Sequence, residues 1–167
     1  MVDESGSNQN PAKEPPSTSP SPGTTREPSA PRLNLLLAED NLPDALIVKE
    51  AIRQAQLPVS VHIAADGEQA LKFLETAESN QDAPAPHMLL LDLNLPKVDG
   101  FEVLRAVRAN DRFKDLPVLV VTSSDSPGDR SEAAGLSAAY FRKPVTYREF
   151  LKIGDVIRKL LQEHKLL

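Results

Sequence analysis

Four short stretches of this 167-residue chain carry side chains that could do chemistry together. Glu39-Asp40 follows the run LNLLLA (33–38), Asp92 closes HMLLLD (87–92), Thr122 closes PVLVVT (117–122), and Lys143-Pro144 follows AAYFR (138–142). Carboxylates brought close together repel, and some protonate unless a cation keeps them ionised. A hard divalent cation with oxygen ligands meets that need. Magnesium fits best, because it takes one or two protein carboxylates, keeps waters and leaves room for phosphate. A lysine at the same place adds a point positive charge, and a threonine hydroxyl adds a donor. Such a set suits a phosphoryl group carried on an acid side chain. Aspartate is a known nucleophile in that sense, and phosphoryl transfer asks mainly for positioning and charge neutralisation. Each piece alone has a plainer reading: a solvated acid pair ahead of a helix, an aspartate opening a turn, a lysine of no consequence. Their meeting depends on the elements that carry them.

Those elements alternate. LNLLLA (33–38) reads as a buried strand, and Asn41 with Asp44 caps a helix that places Ala45, Val48 and Ile52 on one face. VSVHIA (59–64) alternates like a strand, followed by an Asp66/Gln69 cap and a helix burying Ala70, Leu71 and Leu74. HMLLLD (87–92) is apolar without a break, as a central parallel strand should be. Asp99 and Glu102 cap the next helix, with Phe101, Val103, Leu104 and Val107. PVLVVT (117–122) is the fourth strand, DRSEAAGL (129–136) a short helix and AAYFR (138–142) the fifth strand. Thr146 and Glu149 cap a last helix with Phe150, Ile153, Ile157, Leu160 and Leu161 inward. Strands joined through helices run parallel, and right-handed crossovers put helices on both faces. The fold class is therefore α/β, a doubly wound parallel sheet. All its strand ends lie on one edge, where such sheets bind ligands.

Composition narrows the function. The net charge of −5 gives no electrostatic reason to expect nucleic acid or an anionic membrane as partner. Without cysteine, disulfides, thiol chemistry and Cys-based zinc sites are excluded. No run approaches the ~18 apolar residues of a membrane helix, and MVDESGSNQN has no secretory apolar stretch, so the expected address is cytoplasmic. Residues 1–31, rich in Pro, Ser and Thr, are expected to be a disordered tail carrying one PxxP match at Pro28-Ser29-Ala30-Pro31. Residues 32–167 form the single domain.

LLLAEDN, LLLDLNLPKVDG, VLVVTSS and YFRKP together resemble the receiver domain of two-component response regulators, over about Leu33 to Leu166. The resemblance implies a flavodoxin-like (βα)5 fold with a five-stranded parallel sheet. It implies that Asp92 is the phosphoacceptor for a sensor histidine kinase. Glu39 and Asp40 would bind Mg2+ with Asp92, helped by the backbone carbonyl of Asn94. Lys143 would contact the phosphoryl oxygens and be joined to Pro144 by a cis bond. Thr122 would swing towards the phosphate, and Tyr140 would follow it inward as an aromatic switch, although an aromatic on a strand is as often plain packing. Asn94, the LPK turn, the proline-containing loop before the third strand and the want of an output domain after Leu167 look most like single-domain regulators paired with phytochrome-type kinases. Such a module would act by switching its binding to a downstream protein. The leucines at 160, 161, 166 and 167 could extend an apolar stripe to a second copy, making a homodimer.

Rival readings are weaker. A phosphatase of the haloacid dehalogenase kind would need a second aspartate at position 94, where this chain has Asn94. A pseudo-receiver that binds partners without phosphate would not need the intact acid, threonine and lysine set. No GxGxxG or GxxxxGK[ST] follows the first strand to hold a nucleotide. His62, His87 and His164 read as ordinary strand or surface histidines rather than a relay.

Overall fold

The five apolar runs form one parallel sheet in the computed structural model, which describes residues 32–167. The tail and its PxxP match lie outside the described residues. The strands are β1 (Leu33–Ala38), β2 (Val59–Ala64), β3 (Met88–Leu91), β4 (Val118–Thr122) and β5 (Ala139–Arg142), in the order β2-β1-β3-β4-β5. Every residue of β3 and β4 is buried, whereas β2 and β5, at the edges, are mixed. The unbroken apolarity of 87–92 thus marks β3 correctly as a central strand.

Alternation along the strands divides the interior in two. Leu36, Ala38, Leu89, Leu91 and Val120 face α2 (Gly67–Ser79), α3 (Gly100–Ala109) and α4 (Pro127–Gly135). Leu35, Leu37, Met88, Leu90 and Val121 face α1 (Leu42–Gln54), α5 (Tyr147–Phe150) and α6 (Ile153–Glu163). The chain leaves β1 towards one side to make β2 and returns on the other to make β3. This reversal opens a crevice beyond the carboxyl ends of β1 and β3, the general location of ligands in open α/β sheets.

All four expected caps form. Asn41 Oδ1 accepts from the Asp44 amide at 3.1 Å and Asp66 Oδ1 from that of Gln69 at 2.7 Å. Asp99 and Glu102 make a reciprocal capping box, and Thr146 Oγ1 accepts from the Glu149 amide at 3.3 Å. Two helices differ from the sequence reading. The fourth starts at Pro127, two residues early, because Ser126 caps it and proline is pre-organised for a first helical position. The last one divides at Leu151–Lys152, where bonding tightens to i→i−3: the Lys152 amide donates to Glu149 and the Gly154 amide to Leu151, each at 3.1 Å. The turn sets Gly154 against α1, where a Cβ would stand 2.8 Å from the Ala51 carbonyl oxygen. Leu160, Leu161 and Leu166 pack into the chain's own core, leaving Leu167 exposed. No helix among the described residues is long and apolar enough to cross a membrane.

Candidate functional site

Ladder bonds that continue one residue past the strands fix the acids in place. The Glu39 amide donates to the Ala64 carbonyl at 3.0 Å, extending β1 along β2. The Asp92 amide donates to the Ala38 carbonyl at 3.0 Å, extending β3 along β1. On the other side the Lys143 amide donates to the Thr122 carbonyl at 2.8 Å, continuing β5 along β4. Four elements distant in sequence therefore end on one rim with their backbones held by the sheet.

The side chains converge there. Lys143 Nζ donates to Glu39 Oε2 at 2.7 Å, to Asp44 Oδ2 at 2.9 Å and to Asp92 Oδ2 at 3.0 Å. The side chains of Glu39, Asp92 and Lys143 are almost wholly buried, and Asp40 is exposed. The second oxygen of each buried acid is also occupied: Glu39 Oε1 accepts from the Asn41 amide at 3.0 Å, and Asp92 Oδ1 from the Asn94 amide at 3.1 Å. Burial pushes the Glu39 carboxyl up to about 7, with the Asp92 charge adding to it, against the opposing bonds from Lys143 and Asn41. Burial works to lower the Lys143 pKa, but its bonds to Glu39, Asp44 and Asp92 outweigh it and raise the ammonium above its ordinary value.

One carboxylate oxygen from each of Glu39, Asp40 and Asp92 lies within 4.8 Å of the others. Opposite ligands of magnesium stand roughly 4 Å apart, so small adjustments would close this set around a hard cation. With Asp44 included, four carboxylates face one ammonium, an excess of negative charge that favours a divalent ion. The residues fit such an ion.

The loop after β3 carries Asn94 and folds tightly under the rim. A Cβ on Gly100 would stand 2.6 Å from Leu93 Cα and closer still to the Asp92 carbonyl oxygen, so only glycine permits this approach. The loop also docks on the start of α2: the Gly67 amide donates to the Pro96 carbonyl at 3.2 Å. Lys97, with φ of 68°, reaches Asp66 and Glu68 at 3.5 Å each.

Thr122 is fully buried, and its Oγ1 accepts from the Ser124 amide at 3.2 Å. Among the described residues no hydrogen bond joins this hydroxyl to Asp92 or Lys143. The Tyr140 hydroxyl donates to the Ser124 carbonyl at 2.7 Å, its ring packs against the core, and the Arg130 guanidinium lies 4.5 Å from the ring centre. Ser124 thus bridges Thr122 and Tyr140. The Lys143–Pro144 bond, expected to be cis, is trans, like every described peptide bond. Trans is favoured by about 0.5–1 kcal/mol before proline. The following Val145 is fully exposed.

Two contributors were missed in the sequence. Asp44 was read only as the residue its cap bonds to, although its position four residues after Asp40 puts it one helical turn on, near the same rim. Ser124 carries no signal in the sequence beyond its place in a polar stretch after the fourth strand. The histidines stay apart from the acids. His62 and His87 bond to Asn34, at the other end of β1 and about 16 Å from Glu39 by strand rise.

A family model described as the response regulator receiver domain matches residues 35–154. Response regulator Rcp1 of Synechocystis sp. is 38% identical over 95 residues, covering 57% of this chain. The chain spans 65% of the length of that relative, just under two thirds. The probable methanogenesis regulatory protein FilR2 of Methanothrix harundinacea is 32% identical over 126 residues, covering 75% of this chain and 81% of that protein. Among solved structures, the Mn2+-bound form of Rcp1 matches with a TM-score of 0.69 and 32% identity, over 75% of this chain and 91% of that one. The phosphorylated cyanobacterial phytochrome response regulator RcpA matches with a TM-score of 0.71 and 30% identity, over 77% and 93%.

Proposed function

Because the chain belongs to the response regulator receiver domain family, we propose that Asp92 accepts a phosphoryl group from a sensor histidine kinase and that the product changes which protein the chain binds. One observation carries this reading: Lys143 Nζ lies 3.0 Å from Asp92 on a rim where Glu39, Asp40 and Asp92 present oxygens within 4.8 Å of one another. An Asp92 carboxylate oxygen attacks phosphorus, the N–P bond of the donor phosphohistidine breaks with its electron pair returning to the imidazole, and an acyl phosphate remains on the chain. Lys143 offsets charge on the transferring group. Glu39, Asp40, Asp92 and the Asn94 carbonyl would hold Mg2+, which supplies further charge neutralisation when bound.

The new phosphate adds roughly −1.5 to −2 of charge, by analogy with other phosphorylated side chains. Its oxygens accept from the Thr122 hydroxyl, and reaching them turns the Thr122 side chain, whose Oγ1 now accepts from the Ser124 amide. Since Ser124 also receives the Tyr140 hydroxyl, a turn of Thr122 towards phosphate changes the setting of Tyr140. Phosphate contacts that exist in one arrangement only shift the population towards it. A cytoplasmic kinase of phytochrome type suits the reading, given the similarity to RcpA.

Acetyl phosphate with Mg2+ tests the acceptor. The wild type is expected to gain one phosphoryl group on the peptide containing Asp92, and Asp92→Asn none; label persisting on that peptide in the variant refutes the assignment. Many rapid turnovers of an aryl phosphate would instead mark a phosphatase.

A further inference from the structure

An ammonium has three N–H donors, and in Lys143 all three go to carboxylates. Two of these acids, Glu39 and Asp92, belong to the cluster able to hold a cation. The third, Asp44, stands outside it, on the first turn of α1. A dication held by Glu39, Asp40 and Asp92 competes with the ammonium for the same oxygens and repels it. Asp44 alone of the three can then remain its counter-ion.

We propose that Asp44 is a positioning residue: its carboxylate retains Lys143 at the rim when the other two acids turn to a cation, which leaves Lys143 placed for an incoming phosphoryl group. The inference rests on the site reading above. An aspartate in a first turn favours its helix through the dipole wherever it points. This one is aimed across the fold, at a lysine 99 residues further on, 2.9 Å away. The Asn41 side chain holds the Asp44 backbone by accepting from its amide, and among the described residues the Asp44 carboxylate bonds to Lys143 alone.

A double-mutant cycle tests the coupling, with Mg2+ affinity measured calorimetrically for the wild type, Asp44→Asn, Lys143→Met and the pair. With Asp44 neutral, Lys143 falls back on Glu39 and Asp92 and competes harder, so binding is expected to weaken about fivefold. Asp44→Glu restores it. In the Lys143→Met background the same Asp44→Asn change is expected to matter less than about twofold. Equal weakening in both backgrounds means that Asp44 contributes charge alone, and overturns the proposal; so does no weakening in either. Asp44 is partly exposed, so Asn is expected to keep the fold, and Asp44→Ser carries the same test should it not. A wild type that binds no Mg2+ overturns the site reading as well, whereas the cycle can fail while Asp92 still accepts phosphate.

Discussion

Asp40 and Glu39 are neighbours in sequence with opposite circumstances. Glu39 is buried with both oxygens bonded, whereas Asp40 is exposed and among the described residues takes no hydrogen bond. Asp40 therefore adds repulsion to the rim and receives little in return. Two like charges about 4 Å apart cost about 1 kcal/mol in water and more near protein. For an exposed group the lower figure applies. Asp40→Asn is expected to stabilise the cation-free protein by about 1 kcal/mol in urea unfolding and to weaken Mg2+ binding at least tenfold. Loss of stability in the absence of cation would show that Asp40 has a structural role. The strand-end residues were legible in the sequence because a strand ending in a charge reveals its own edge. Asp44 and Ser124 were not. Their places depend on the phase of α1 against the sheet and on a turn's path, which follow from packing rather than from local pattern.

Helix α4 contrasts with its neighbours. Only Ala133 of its nine residues is buried, so apolar burial holds it weakly. Polar ties replace it: Arg105 pairs with Glu132, and Arg108 donates to the carbonyls of Leu136 and Ser137 beyond the helix end and to Lys114 and Leu116 in the loop before β4. Hydrogen bonds from a charged donor are worth about 1.5–3 kcal/mol. Arg108→Met is expected to reduce stability by about 2 kcal/mol and to accelerate amide exchange across 127–137 more than in β1 or β3. Uniform acceleration would show that Arg108 supports the whole fold rather than this element. The same low apolar content made α4 the faintest helix in the sequence, with its start misplaced by two residues. The loop from β3 to α3 is the opposite case, set by packing so tight that Gly100→Ala is expected to cost about 1–3 kcal/mol and to lower Mg2+ affinity, measured by urea unfolding and calorimetry.

At the scale of the whole molecule, two apolar layers support a rim that works against them. Their core residues are almost all nonpolar, and Glu39, Asp66, Asp92 and Thr122 are the buried polar exceptions. Three of those four stand at the site, at the ends of β1, β3 and β4. A parallel sheet can hold them there because ladder bonds tie Glu39 to Ala64, Asp92 to Ala38 and Thr122 to Lys143, so moving the backbone to relieve the repulsion between acids would break them. What relieves it is charge. Lys143 does so in part, and a divalent ion should do so further, stabilising the native state by RT ln(1 + [L]/Kd), about 2.7 kcal/mol at a hundredfold excess over Kd. Mg2+ is therefore expected to raise the unfolding midpoint, while potassium at equal ionic strength is not, because screening alone reaches buried groups poorly. Removing one ligand with Asp92→Asn should abolish most of that rise even though it also removes a repelling charge. A rise of the same size with potassium would mean that the rim responds to ionic strength and holds no ion.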